Sequence, residues 1–351
     1  MTSGRIEVLS PAVAPMNEAV AIAAVLAVVA SVFIEGWRRS PCLHVVRRVF
    51  VVVATAACAA VVTGALAAVV PGDPVARVMG EDVDEDVRAA VVKDAGFDEA
   101  RSPGVRGPLA AGGRVLTGLL STSTPLRSWR TQEPVRDLIV QRLPRTVGLG
   151  VFSVVIGVVV GLLLGALSLR KNPLIDVVIA VLSAVPRFVL GPAVVVLFAL
   201  VVRALPSGGV DDGWRSWVLP VTTLALPFAA VVARHARAAL QQALQSDFAR
   251  SARARGANEF VVVTRHALRH ALVPVVHVTA LQAGVVVSGA VVVEKIFSWP
   301  GLGMLLQESL RKGDLPVVEG VVVVAAAAIA ASGLVADLAA GLVDPRLRSR
   351  P

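Results

Sequence analysis

An all-α, polytopic membrane helix bundle is the fold this sequence predicts, and three observations predict it. Of the 351 residues, 56% are hydrophobic and only 17% are charged. The apolar residues gather into long runs of Val, Ala and Leu, which a soluble core does not need. The basic excess, a net charge of +9, falls mostly between those runs, where a membrane protein keeps its cytoplasmic Lys and Arg. A mean hydropathy of +0.75 and a pI near 10.9 belong to the same class. A lipid bilayer therefore accounts for the charge better than a nucleic acid does, and no nucleic-acid partner is expected.

Six runs are long enough to cross, near residues 45–70, 145–168, 174–203, 217–240, 272–293 and 317–342. A hydrocarbon layer about 30 Å thick takes roughly 20 helical residues at about 1.5 Å each. An earlier run, 19–34, falls just short of that length and reads as an extra span, an interfacial helix or a signal-like segment. Cys42 and Cys58 sit just before and inside the first long run, with neither a disulfide framework nor a zinc spacing between them.

Orientation follows from the basic connections. Arg38, Arg39, Arg47 and Arg48 precede the first long run, and Arg170 and Lys171 separate the second from the third. Seven arginines from Arg234 to Arg269 lie between the fourth and fifth, and Arg346, Arg348 and Arg350 end the chain. Six crossings put all four clusters on one side, the cytoplasmic one. Residues 71–143 are then external: an acidic stretch from Glu81 to Asp86 leads into a short helix, followed by Gly, Pro, Ser and Thr, and the whole reads as a small exposed subdomain or a partly ordered loop.

Prolines fall within the apolar runs at Pro186, Pro192, Pro220 and Pro227, each removing a backbone hydrogen bond. In lipid that loss is tolerated mainly where protein or a watery cavity supplies partners, so these runs read as broken helices lining a path or as ordinary kinks. Arg187, Thr222 and Thr223 on the same runs are candidate path residues, against the plainer reading that such groups satisfy backbone or neighbouring helices. His266 and His270 stand four apart, with His235 and His277 nearby, but no Cys, Asp or Glu completes a metal set. Neither G-x-S-x-G, H-E-x-x-H nor paired membrane carboxylates are present, so no catalytic residue and no metal ligand is assigned.

The most informative stretch is 247–274, DFARSARARGANEFVVVTRHALRHALVP. It is too polar to span, yet helix-forming residues flank Gly256, so two short helices meeting at that glycine are expected. Small residues Ser251, Ala252, Ala254, Gly256 and Ala257 permit close approach of another protein, and Arg250, Arg253 and Arg255 can pair with acidic groups at its rim. On the residues alone, a docking element and a solvated basic connector both stay open.

This segment resembles the loop signature of binding-protein-dependent ABC importer permeases, in the branch that handles oligopeptides, dipeptides and nickel. Arg250, Ser251, Ala252, Gly256 and Pro274 occupy the matching positions, with Arg250 where the general signature has a Glu. PGDP at 71–74, QRLPRT at 141–146, VVVEKIFSWPGLG at 291–303 and DPRLR at 344–348 agree in order and spacing with that branch. Two regions depart from it: residues 1–43 have no counterpart in the simplest members, and 81–133 matches loosely, with STSTPLR at 121–127 in place of a Gly-Asp-rich stretch.

The resemblance implies a type I ABC importer transmembrane domain in the bacterial cytoplasmic (inner) membrane. Residues 1–43 are then an N-terminal extension with a short apolar helix, 44–70 the first family span, 71–143 the extracytoplasmic loop or subdomain, 144–343 a five-helix permease core, and 344–351 a cytoplasmic tail. It further implies a coupling helix formed by Asp247, Phe248, Arg250, Ser251, Ala252, Arg253, Arg255, Gly256 and Ala257. The expected partners are a second homologous permease subunit, two cytoplasmic ATPase subunits, an extracytoplasmic solute-binding protein and membrane lipid. The chain has no G-x-x-x-x-G-K-[ST] loop, so it is expected to bind no cofactor, with ATP and Mg held on the partner subunits. Short peptides lead as the solute, ahead of a metal chelate or another small solute; a non-transporting scaffold or sensor and an intramembrane enzyme are the alternatives.

Overall fold

The computed structural model describes residues 41–69, 106–170 and 172–343. Its helices are, in chain order, α1 (Pro41–Val69), α2 (Arg106–Leu120), α3 (Val135–Leu167), α4 (Pro173–Ala184), α5 (Arg187–Val195), α6 (Arg215–Leu244), α7 (Asp247–Ala254), α8 (Glu259–Val261), α9 (Leu268–Ile296), α10 (Leu302–Lys312) and α11 (Leu315–Val343). No strand occurs among the described residues; an isolated bridge joins Arg127 to Pro134. The apolar run 19–34, the acidic stretch 81–86, and the motifs at 71–74 and 344–348 lie outside the described residues.

Four helices are long and apolar enough to cross a bilayer singly, and two bent pairs bring the number to as many as six among the described residues. The runs at 45–70, 145–168, 217–240 and 317–342 correspond to α1, α3, α6 and α11, and the run at 272–293 lies within α9. α3 starts at Val135, well before its apolar run, because Arg136, Asp137 and Arg142 extend the helix into polar surroundings. The run at 174–203 is not a straight rod: α4 and α5 meet at 110°. Val185 and Pro186 are both extended there, as expected where a proline ring crowds the residue before it and fixes the start of the next helix. Pro192, Pro220 and Pro227 stay inside α5 and α6 without ending them; beyond Pro192 the helix widens into π turns over Val196–Val201.

The chain forms two compact units, one of residues 1–142 with 305–330 and the other of residues 143–304 with 331–351. In the first, α1 and α2 touch through small residues: a Cβ on Gly64 would lie 2.6 Å from the Ala111 Cβ, and one on Gly112 would lie 2.9 Å from the Val61 backbone nitrogen. Such contacts replace the hydrophobic drive that lipid removes. Residues 121–134, which include the STSTPLR stretch, are ordered by Asp314, which accepts from the Ser128 hydroxyl at 2.5 Å and from the Trp129 backbone N–H at 3.1 Å.

The second unit is organised around α6. Two thirds of its apolar window is buried, against 28% for each of the other three single spans. Gly157, Gly161 and Gly165, four residues apart, form one stripe of α3 against it. A Cβ on Gly161 would approach the Ala229 carbonyl oxygen to 2.7 Å, and one on Gly165 the Ala233 carbonyl oxygen to 2.8 Å. Gly157 meets Phe228, Gly161 meets Val232 and Gly165 meets Ala236, so α3 and α6 run in the same direction. Beside α6, Ile179 and Leu182 of α4 pack on Ala230 and Ala233, and Asp176 of α4 pairs with Arg237 at 2.5 Å.

The motifs at 141–146 and 291–303 meet in this unit. Glu294, fully buried near the end of α9, accepts from the Thr146 hydroxyl at 2.6 Å and from the backbone N–H groups of Gly303 and Met304 at 2.7 and 3.1 Å. Thr146 in turn accepts from the Leu302 N–H at 2.8 Å. The carboxylate thus sits at the N-terminus of α10, where the helix dipole favours negative charge and the first N–H groups lack partners. The adjoining Trp299 packs edge-on against Trp217 of α6, ring centroids 4.6 Å apart.

Gly161→Leu should force α3 from α6, an overpacking cost of about 1–3 kcal/mol, and lower the melting temperature of the detergent-solubilised protein by several degrees. The same enlargement at Val159, which is about half exposed on α3, should leave the melting temperature unchanged in the same thermal-shift measurement.

Candidate functional site

The segment 247–261 joins α6 to α9 at one end of the second unit. Ala166 and Leu169 near the end of α3 pack into the same cluster as Phe248, Leu240 and Ala271, so the Arg170 connection and this segment lie together. That matches the side-sharing that the basic connections require. The opposite end of the unit holds the turn at Gly209, whose N–H donates to the Phe297 carbonyl at 2.8 Å.

Two helices do meet at Gly256. α7 follows Ser246 and ends in a glycine turn: the Gly256 N–H donates to the Arg253 carbonyl at 2.9 Å and the Ala257 N–H to the Ala252 carbonyl at 3.2 Å. These two bonds, with Gly256 at φ +85°, make a Schellman cap. No heavy atom lies within 4 Å of where a Gly256 Cβ would stand, so the glycine is required for its backbone conformation and not for room. Asn258 then starts α8, its side chain accepting from the Val261 N–H at 2.8 Å. α8 runs through π turns, Val262–Ala267, directly into α9, so the second short helix is the first turn of a long one.

The small residues divide by face. Ala249 and Ala252 are buried, and together with Val262 they form the seat on which Phe248 and Ala257 pack. Ser251, Ala254 and Gly256 face outward. The arginines divide as well. Arg253 donates to both carboxylate oxygens of Glu259, at 2.6 and 3.3 Å, and to the Leu244 carbonyl at 3.0 Å. It therefore ties α7 to α6 and α8, where the sequence offered it to a partner's rim. Arg250 lies 3.7 Å from Asp247, both strongly exposed, and Arg255 is exposed. Phe260, 74% exposed beside this face, is a contact residue that residue-type reasoning missed; an aromatic within the polar stretch was the only signal.

Of the three path candidates, Thr223 is buried and donates to the Leu219 carbonyl at 2.8 Å, and Thr222 donates to the Val218 carbonyl. Both serve the backbone of α6. Arg187 stands apart from them, lining a cavity of about 470 Å³ with Pro186, Pro227, Phe228, Gln282 and Gly289. The side chains of His266 and His270 lie outside the described residues.

The Arg253 hydrogen bonds hold the Glu259 carboxyl below its usual range. A depressed carboxylate stabilises the fold above its unfolded pKa and loses that contribution as pH falls through the folded one. Hydrogen-exchange protection across 247–261, corrected for intrinsic rates, should therefore be unchanged between pH 7 and pH 5 and fall only in stronger acid. In Glu259→Gln it should be reduced already at pH 7. Gly256→Ala should cost about 1–2 kcal/mol from the positive φ, read in the same exchange measurement, with Gly256→Asn costing less.

Residues 157–349 match the family described as the binding-protein-dependent transport system inner membrane component. The chain is 34% identical over 230 residues to a probable peptide ABC transporter permease, y4tP of Sinorhizobium fredii, covering 62% of this chain and 74% of the relative. It is 35% identical over 223 residues to the glutathione transport system permease GsiC of Escherichia coli K12, covering 62% and 72%. Among solved structures, the inward-facing methionine ABC transporter MetNI matches 60% of this chain and 99% of its own with a TM-score of 0.52 at 19% identity, a likeness of fold. A helical bundle with a glycine-turned element at its basic end, matched over its whole core in this way, belongs to the inner-membrane permease subunits of binding-protein-dependent ABC transport systems.

Proposed function

We propose that this protein is the permease through which an ABC importer moves short peptides across a bacterial inner membrane. The family works with ATPase subunits and a substrate-binding protein, and relatives named for peptide and glutathione transport support the choice of solute. In this reading two cytoplasmic ATPases, carrying ATP and Mg, grip the segment 247–261. A second, related permease completes the path, and an extracytoplasmic binding protein delivers the peptide.

The observation that carries the proposal is the build of that segment. α7 is too short to be stable alone, yet the Schellman cap, the Ala249–Ala252–Val262 seat and the Arg253–Glu259 tie fix it to the ends of α6 and α9. A push on it is delivered to two long helices at once, which is what a lever between a nucleotide-driven engine and a membrane path requires. Its outward face offers Ser251, Ala254 and Phe260, small and apolar groups suited to a cleft.

Ser251→Trp changes only an exposed position and should leave the melting temperature unaltered. In cells carrying the complete transporter it should reduce uptake of radiolabelled alanyl-alanine by more than tenfold. Unchanged uptake together with unchanged co-purification of the ATPases would remove the docking role. Failure of the native chain to co-purify with any ATPase would favour a scaffold or sensor.

A further inference from the structure

The mid-depth cavity of the second unit contains a cation without a counter-charge. Arg187 opens α5 at the 110° break, against Pro227, Phe228 and Val231 halfway along the 30-residue α6 and against Gln282 to Gly289 in the middle of α9. A guanidinium at that depth is costly unless something offsets its charge. Its Nη1 donates weakly to the Val285 carbonyl at 3.4 Å, and its Nε is buried without a partner among the described residues. No ion pair involves it there, whereas Arg237, two turns further along α6, has the Asp176 carboxylate.

Three further features at the same place favour an anion. The bare face of Gly289 accommodates the guanidinium, since a Cβ there would lie 2.7 Å from Nη1. The break turns the start of α5 to the cavity: Pro186, Arg187 and Phe188 all line it, and Pro186 provides no side-chain cap. The free N–H groups and positive dipole end of a nine-residue helix therefore face the same space as the guanidinium. No carboxylate lines the cavity, while the Gln282 amide adds a neutral polar group. A volume of about 470 Å³ lies within the roughly 300–1,000 Å³ of small-molecule sites.

We propose that this cavity is a carboxylate-binding station on the solute path, with Arg187 as its anion-binding residue, taking the free C-terminal carboxylate of a short peptide in transit. The proposal deepens the import reading and rests on it. A carboxylate bound there meets the guanidinium and the α5 N-terminus together. Binding is also transient, because one cation and a few N–H groups hold less firmly than a closed pocket does.

The test uses the complete transporter in lipid nanodiscs, without its binding protein, and follows phenylglyoxal modification of Arg187 by peptide mass spectrometry. Alanyl-alanine should slow the modification by roughly tenfold at saturation, the order expected for a charge-assisted contact, and alanyl-alaninamide should not. Equal protection by both, or by neither, overturns the station. So does an Arg187 that resists modification throughout, which would show a lipid phosphate or a neighbouring subunit already covering it. In proteoliposomes with the binding protein, Arg187→Gln should reduce alanyl-alanine uptake by roughly tenfold while Arg187→Lys retains most of it, and ATP hydrolysis stimulated by the binding protein should be unchanged in both. Equal loss in the two variants would show a packing role instead. If native proteoliposomes take up no dipeptide, the import reading fails while the modification experiment still decides the station. If they take it up and modification ignores the carboxylate, import stands and the station falls.

Discussion

The close approach of α3 to α6 is the constraint on which the rest of the second unit depends. In hydrocarbon no water is released when two helices meet, so association rests on surface fit and backbone proximity. Gly157, Gly161 and Gly165 provide that fit by bringing the backbone of α3 onto the carbonyls of α6. With α6 held at the centre, its first turns receive Trp299 through Trp217, its middle receives the α4–α5 break, and its end leads into α7. The helix that is most buried is thus also the one that connects the membrane path to the basic end.

Glu294 shows how the opposite end is fastened. A buried carboxylate without partners would be strongly unfavourable, and here the Thr146 hydroxyl and two backbone N–H groups at the start of α10 satisfy it. The same contact joins two sequence motifs that have no visible relation along the chain. Each of them looks like turn chemistry by itself; together they form one hydrogen-bonded knot.

Much of the architecture was legible because the bilayer leaves so few solutions. Runs of apolar residues of spanning length had to become helices, and Arg170 and the arginines after α6 had to share a side, as the packing of Ala166 and Leu169 beside Phe248 bears out. Gly256 was legible for a local reason: a polar helical stretch with a single glycine needs that glycine at positive φ. What could not be read were contacts set by distant partners. Thr146 and Glu294 are 148 residues apart, and nothing local to Arg253 says that Glu259 will claim it. The 110° turn at Pro186 was not distinguishable from the unbroken passages at Pro220 and Pro227, because whether a proline ends a helix depends on what packs around it. The glycine stripe of α3 was visible in the sequence at a spacing of four, and its meaning emerged only from the matching small and apolar residues of α6.

The internal commitment of Arg253 changes the character of the exposed knob. Across Asp247, Arg250, Arg253, Arg255 and Glu259, two of the three cations already have a nearby carboxylate, and Phe260 stands beside them. Long-range attraction between such a surface and its receptor is weak, and dissolved ions have little of it to screen. Whatever seats here is retained by shape and by exclusion of water, so its attachment endures at ionic strengths that would detach a partner recruited by arginines alone.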